Sequence, residues 1–231
     1  MTESALRRIS AADYPALSAL WAETFSDPPR LIADFFRLLP GMGLGFLAER
    51  DGETLGAAYL LTGLDLLMPD GEKRPVGYLY AVAVRDEARG RGLGTALSQT
   101  CAQTARDLGC AWFCTQPAEA RLFDWYAQGL ALRSTLFRRE ERLGAAALED
   151  CMELSATDYR YWRERMLAHR PHIRLGDAAL QYQHSLCKSY GGGFFAVGDA
   201  VAFALAFCSP DVSPSRNTTN YKANTRNARR S

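Results

Sequence analysis

The sequence predicts a mixed α+β fold, and three observations predict it. Apolar residues recur at helical spacing in some segments and in short continuous runs in others, so helices and strands alternate along the chain. Asp51-Gly52 joins two such runs, which is a strong hairpin signal. A further apolar run, residues 78–84, leads into a turn dense in glycine and arginine and then into a helical pattern.

The elements of the first 140 residues follow one another as a strand, two helices, a hairpin, a strand, a glycine-rich loop, a helix, a strand, a helix and a closing strand. The first helix lies within residues 10–25 and stops at Asp27-Pro28-Pro29, and the second covers 31–39 and stops at Pro40-Gly41. The other elements are strands over 45–50, 54–61, 78–84, 111–115 and 132–139 and helices over 95–108 and 119–128.

The sequence after residue 145 predicts a small, incomplete α/β region. Helices over 157–169 and 180–190 precede a hairpin over 194–207. Gly193-Phe194-Phe195-Ala196 resembles Gly45-Phe46-Leu47-Ala48 at an offset of 148 residues, which indicates either an internal repeat or a chance likeness of two short hairpins. Three regions are therefore predicted: residues 1–145, residues 146–208 and a polar, disordered tail over 209–231, whose abrupt end suggests a truncated reading frame.

Composition excludes several classes of function. With 27 basic and 26 acidic residues the net charge is +1, so no global field favours nucleic acid or an anionic membrane. No run approaches the roughly 20 apolar residues of a membrane span, and the first residues do not form a signal peptide. These features predict a cytoplasmic protein.

The six cysteines predict buried, reduced thiols. Their spacing does not resemble a disulfide framework. Cys110 and Cys114 are the closest pair, but the histidines lie far away at 169, 172 and 184, so no metal site is predicted. Since no histidine lies near Cys101, Cys110 or Cys114, a covalent acetyl-cysteine route is disfavoured.

The turn after residue 84 has the composition of a phosphate-binding loop. Gly90, Gly92 and Gly94 let backbone N–H groups converge without Cβ atoms in the way, where a helix begins and offers its unpaired amides. Arg89 and Arg91 add positive charge at the same place. A plain helix-initiating turn is the alternative.

Two other glycine-rich loops do not fit this segment. A P-loop requires Lys and then Ser or Thr after its second glycine, whereas Gly94 is followed by Thr95-Ala96. A dinucleotide fingerprint requires a different glycine spacing and an acidic residue about 20 positions later, where the sequence has a helix end.

Residues 84–97 resemble, without a gap, the acetyl-CoA-binding signature of the GNAT superfamily of N-acetyltransferases, Arg/Gln-x-x-Gly-x-Gly/Ala. Arg89, Gly92 and Gly94 stand on its defining positions. The resemblance implies a mostly antiparallel central sheet flanked by helices, and acetyl-CoA as cosubstrate with no metal. It assigns cofactor binding to the strand backbone and the loop: Val82, Val84, Arg89, Gly90, Arg91, Gly92, Leu93, Gly94 and Thr95.

Residues 115–130 resemble a later GNAT element, a helix that ends in a Tyr-x-x-x-Gly-Phe type motif. Counted from Tyr126, Leu130-Ala131 stands where Gly-Phe is expected, and counted back from Gly129, Trp125 takes the tyrosine position. The resemblance favours Tyr126 as the general acid that protonates the departing thiolate. A tyrosine that only packs on an amphipathic helix is the alternative.

The resemblance implies an N-acetyltransferase that moves the acetyl group to a primary amine by direct attack in a ternary complex. The acceptor is a small-molecule or peptide amine, and the segments around 24–44 and 62–76, expected to be substrate loops, carry no decisive charge pattern. Four residues are candidates for the general base: Glu23, Glu49, Tyr78 and Tyr80. A catalytically silent acyl-CoA-binding or regulatory module is the alternative, an enzyme damaged by truncation is another, and the oligomeric state is left open.

Overall fold

The computed structural model describes residues 4–133, 151–197 and 202–205 of the 231-residue chain. The strands are β1 Ala5–Arg8, β2 Gly43–Arg50, β3 Glu53–Leu67, β4 Lys73–Val84, β5 Trp112–Cys114, β6 Cys151–Glu153, β7 His172–Leu175, β8 Phe194–Val197 and β9 Ala202–Leu205. The α-helices are α1 Tyr14–Phe25, α2 Pro29–Met42, α3 Leu93–Asp107, α4 Ala120–Leu130, α5 Ala156–Leu167 and α6 Asp177–Ser189.

The central sheet has the strand order β1-β2-β3-β4-β5, antiparallel except for the parallel pair of β4 and β5. β7 is also antiparallel to β3, over Leu64–Leu67. Because β4 occupies the other edge of β3 there, β7 lies on the edge that β2 leaves after Leu61. The mixed α+β fold with a mostly antiparallel central sheet flanked by helices is therefore confirmed.

β4 and β5 pair only briefly and then diverge. The pairing runs from Val76 to Tyr78 of β4, and the side-chain hydroxyl of Thr115 donates to the Leu79 carbonyl at 2.9 Å just beyond it. From there to Val84, no described strand covers this edge of β4. An open strand edge offers unpaired N–H and C=O groups to an extended ligand.

A bulge at Ala81 of β4 changes which residues of the strand face each side of the sheet. Ala81 adopts a positive φ of 48°, and the register with β3 shifts beside it. Tyr78, Tyr80 and Ala81 pack toward α1, α2 and α6, whereas Val82 and Val84 pack toward α3 and α4.

Each face has its own core. Trp21, Phe35, Tyr59 and Tyr182 belong to the core under α1, α2 and α6. The core under α3 and α4 is mostly aliphatic and includes Leu60, Leu79, Leu97, Cys101 and Tyr126. A third, smaller core lies between α5, α6 and the sheet of β6, β8 and β9.

Two predicted boundaries are wrong. α2 continues through Pro40 to Met42, since Leu39 and Met42 bury their side chains in the core and proline forfeits only one helical hydrogen bond near the helix end. Residues 62–67 and 73–76, expected in a substrate loop, continue β3 and β4 as a hairpin in which Val76 and Leu64 are buried. The short strands β6 and β7 were not predicted.

The region after residue 150 joins the first sheet. β7 extends it, and α6 packs on α2, where the hydroxyl of Ser185 donates to the Asp34 carboxylate. The division at residue 145 and the internal repeat stay predictions, although the second hairpin does form from β8 and β9. The predicted tail lies outside the described residues, as does the closing strand over 132–139, except for residues 132 and 133, which are not in a strand.

Candidate active site

The glycine-rich loop lies between β4 and the first turn of α3. Gly90 and Gly92 have positive φ values of 75° and 79°. A Cβ atom at either position would meet nothing within 4 Å, so glycine is required for the backbone conformation and not for space. The loop is exposed from Arg89 to Gly92.

Three backbone amides at the start of α3 point out of the helix without a partner. The N–H of Ala96 makes the first helical hydrogen bond, to the Gly92 carbonyl at 2.9 Å. The preceding amides of Leu93, Gly94 and Thr95 have no acceptor among the described residues. Since the helix dipole adds positive potential here, this end of α3 can hold a phosphate group.

The arginines near the loop have different partners. Arg89 donates to the Val84 carbonyl at 3.1 Å and forms an ion pair with Asp86 at 2.7 Å, so it ties the loop back to β4. Arg85 binds the Thr54 carbonyl at 2.8 Å and Glu23 at 3.1 Å. Arg91 forms no ion pair within the described parts of the chain, and its charge is therefore available to an anion.

Tyr126 and Trp125 of α4 point to different places. Tyr126 is only 8% exposed and packs in the core under α3 and α4 near Thr115, whose hydroxyl donates to the Leu79 carbonyl. The Trp125 ring lies over the start of α3, 3.5 Å from where a Cβ of Gly94 would be. Tyr126 therefore lies beside the gap between β4 and β5, while Trp125 lies against Gly94 in the first turn of α3.

Burial raises the pKa of Tyr126, so its phenol is protonated at neutral pH. That is the form a general acid needs. Burial also raises the pKa of Cys101 to about 12 and of Cys114 to about 11, which leaves both thiols un-ionised and unsuited to nucleophilic attack.

None of the four candidate bases has the properties of a free base. Glu23 is paired with Arg85 at 3.1 Å, and Glu49 with Arg7 at 2.9 Å. Burial raises the pKa of Tyr78 and of Tyr80, so both phenols hold their protons. The structure brings Tyr78 and Tyr80 together, with ring centroids 5.9 Å apart, on the face of β4 away from α3.

Sequence reasoning missed a polar group on that face, which we call the Asp27 cluster: Trp21, Asp27, Tyr80, Tyr182 and Tyr190. Trp21 Nε1 donates to Asp27 at 2.8 Å, the Tyr190 hydroxyl donates to the other oxygen of Asp27, and the Tyr80 and Tyr182 hydroxyls are 3.0 Å apart. No local signal could have revealed it, because Tyr182 is 102 positions from Tyr80 and Tyr190 is 163 positions from Asp27.

The described residues contain no cluster of three or more His, Cys, Asp or Glu side chains able to hold a metal ion. Nor do they include a helix with the length and apolarity that crossing a bilayer requires.

Comparisons with known proteins agree with this architecture. A family model described as the acetyltransferase (GNAT) family matches residues 4–130. An uncharacterized N-acetyltransferase of Methanocaldococcus jannaschii is 33% identical over 97 residues, which are 41% of this chain and 54% of that protein. The chain thus spans about half the length of this curated relative.

Solved structures share the fold. An acetyltransferase of Trypanosoma brucei is 22% identical with a TM-score of 0.50, covering 62% of this chain and 99% of that one. The aminoglycoside N-acetyltransferase AAC(6')-Iy, solved in complex with CoA, is 18% identical with a TM-score of 0.53, covering 62% of this chain and 96% of that one.

Proposed function

Since the chain belongs to the acetyltransferase (GNAT) family, we propose that it transfers the acetyl group of acetyl-CoA to a primary amine. The observation that carries the proposal is the group of three unpartnered amides at the start of α3, set behind Gly90 and Gly92 in an Arg-x-x-Gly-x-Gly loop. A neighbour of the same fold, AAC(6')-Iy, was solved with CoA bound.

In this proposal the cofactor lies along β4 and ends at α3. The amides of Leu93, Gly94 and Thr95 hold the pyrophosphate, and Arg91 adds its charge. The pantetheine arm runs along the uncovered edge of β4 and bonds to the backbone of Val82 and Val84. Its thioester then lies in the gap between β4 and β5, beside Tyr126.

The transfer is a direct attack. The amine nitrogen bonds to the thioester carbonyl carbon, the C–S bond breaks, and its electron pair goes to sulfur. A backbone N–H of β4 polarises the carbonyl. Tyr126 donates its proton to the departing thiolate, and the proton that the amine loses restores the phenol. The amine and the thioester thus become an amide and a thiol, with no net release of protons. Thr115 is a positioning residue, since its bond to the Leu79 carbonyl fixes the end of β5 beside Tyr126.

Replacing Tyr126 with Phe tests this assignment. Loss of a general acid should lower kcat about a hundredfold, while the Kd for acetyl-CoA stays unchanged because the phenol does not contact the pyrophosphate. Release of CoA thiol is measured with a panel of aliphatic amines, amino acids and peptides. Tyr161→Phe, on the exposed surface of α5, is the matched control.

Unchanged kcat in Tyr126→Phe would reject Tyr126 as the general acid. Acetyl-CoA binding without turnover on any amine would favour the acyl-CoA-binding module instead. Absence of acetyl-CoA binding would contradict the proposal as a whole.

A further inference from the structure

The Asp27 cluster lies on the face of β4 that the cofactor leaves free. α3 and α4, which carry the amides and Tyr126, cover the opposite face. An amine that attacks a thioester at the gap between β4 and β5 therefore approaches from the side of α1, α2 and α6. Tyr80 of the cluster comes from β4 itself, one residue before the bulge at Ala81.

Asp27 holds a negative charge without a cationic partner. Its carboxylate accepts one hydrogen bond from Trp21 Nε1 and one from the Tyr190 hydroxyl, of about four that two carboxylate oxygens can accept. Within the described part of the chain, no lysine, arginine or histidine lies within 4.0 Å of it, and the side chain is only half-buried. Lone pairs and charge are both available to a cation.

The phenol pair leaves one proton unused. Tyr80 and Tyr182 each have one O–H, and the two hydroxyls share a single hydrogen bond of 3.0 Å. Whichever of them donates, the other proton has no acceptor among the described residues, although Tyr182 is 95% buried. A buried O–H without an acceptor costs free energy, and a bound oxygen would remove that cost.

Aromatic rings pack around Tyr80. The rings of Trp21 and Phe35 lie 6.0 Å and 5.7 Å from the ring of Tyr80, and the Tyr182 ring lies 6.0 Å from it. This packing fixes the position of the Tyr80 hydroxyl beside Tyr182. Burial raises the pKa of Tyr182, and the charge of Asp27 acts in the same direction, which agrees with their closeness.

We propose that the Asp27 cluster selects the acceptor: a compact amine that carries an ammonium group, held by Asp27, and a neighbouring oxygen, held by the unused phenol proton of the Tyr80–Tyr182 pair. The ammonium releases one proton to solvent before the attack, so that the nitrogen that bonds to the thioester carbon is the neutral amine. The proposal rests on the acetyltransferase function proposed above. It gives α6 a part in substrate choice, because Tyr182 and Tyr190 lie on that helix or directly after it.

Three small probes of similar size test the two contacts separately. Ethanolamine has the ammonium and the oxygen, propylamine lacks the oxygen, and ethylene glycol lacks the charge. Ligand-observed NMR titrations, with and without CoA, should show ethanolamine binding severalfold better than propylamine and at least tenfold better than ethylene glycol. Steady-state acetylation gives KM and kcat for the two amines.

Asp27→Asn should raise KM for both amines about tenfold or more, remove the preference for ethanolamine over ethylene glycol, and leave acetyl-CoA affinity unchanged. The double variant Tyr80→Phe/Tyr182→Phe should make ethanolamine and propylamine equivalent. Since both hydroxyls are removed together and the shapes are kept, this variant leaves no unpaired partner and should fold. Asp70→Asn, in the turn between β3 and β4, and Tyr161→Phe are the matched controls.

Unchanged preferences in Asp27→Asn and in the double variant would overturn the proposal, as would a loss of thermal stability without any change in the ratio of KM values. A failure of the acetyltransferase proposal can be told apart from a failure of this one. The titrations without CoA measure how the three probes bind to the cluster whether or not acetyl transfer occurs. If Asp27→Asn does not fold, the double variant alone decides, through the ratio between ethanolamine and propylamine.

Discussion

The two faces of the central sheet carry different chemical groups for binding. On the face of α3 and α4, the candidate contacts are backbone amides of residues 93–95, presented by glycines with positive φ. On the face of α1, α2 and α6, they are side-chain hydroxyls, indole and a carboxylate, held among aromatic rings.

Because of this difference, the two faces recognise different properties of a ligand. Backbone amides recognise any phosphate of the right size, and their arrangement depends on conformation alone. A carboxylate with phenols around it depends on the identity of each side chain. Substitutions that bend the loop should therefore change cofactor affinity, and substitutions in the aromatic core should change stability and acceptor use.

Phe35→Ala should have the largest effect of four substitutions. Phe35 is 0% exposed and packs against Trp21, Tyr59, Tyr80 and Tyr182. Removal of a buried phenyl ring should lower the free energy of unfolding by about 3–5 kcal/mol, measured by urea denaturation. Phe123→Ala, at a side chain that is 41% exposed on α4, should cost far less. Equal losses would contradict the packing described for this face.

Gly92→Ala isolates the backbone of the other face. An alanine disfavours the positive φ by about 1–2 kcal/mol. The loop of the free variant therefore relaxes to another conformation, and the original conformation must be restored when acetyl-CoA binds. We expect acetyl-CoA to bind about tenfold more weakly by calorimetry. Gly109→Ala is a matched control, since Gly109 has a φ of 76° and equally open surroundings, at the far end of α3. A similar loss of affinity in the control would show that strain anywhere in α3 is sufficient.

Acid should weaken the attachment of α6 to α2. The hydrogen bond from Ser185, followed by the neighbouring Arg37, lowers the pKa of Asp34 below its ordinary 3.8. The stabilisation is therefore fully present above about pH 4 and is lost as pH falls through the lowered value. Ser185→Ala should cost about 1 kcal/mol at pH 7 and reduce the fall in unfolding free energy between pH 5 and pH 3. An undiminished fall would exclude this contact as its source.

Arg91→Ala should have the smallest effect. Its exposed guanidinium is screened by water and salt, so acetyl-CoA affinity should fall only about two- to threefold at low ionic strength. The difference from the wild type should vanish near 1 M salt, where the screening length is about 3 Å. Arg106→Ala, in the last turn of α3, is the control. A salt-independent loss would mean that Arg91 acts through loop structure.

The glycine-rich loop and the start of α3 could be predicted from the sequence because they are local. Strand, glycines and helix start lie within residues 78–97, and the constraint on Gly92 is set by its own φ. The resemblance favours Tyr126 over Trp125, but the position of each ring could not be predicted, since adjacent helical residues differ in direction by about 100° and only packing decides which one faces Thr115. The structure orients Tyr126 toward Thr115, while its catalytic role stays a prediction.

The opposite face could not be predicted, because its contacts join distant positions. Asp34 and Ser185 are 151 residues apart, and neither has a neighbour in sequence that signals the pairing. Strand β7 was missed for a similar reason. It has only four residues, and its place is fixed by the stretch of β3 that β2 leaves unpaired.

The position of β7 and α6 has a consequence for synthesis of the chain. β3 ends at Leu67, but the strand that pairs with its last residues begins at His172, about 100 residues later. At roughly 5–20 residues per second, the ribosome needs about 5–20 s to produce that interval. During this time Phe35 and Tyr80 lack the cover of Tyr182, and the edge of β3 is open to other chains. The emerging protein thus has a period of vulnerability to aggregation that ends only when α6 leaves the ribosome.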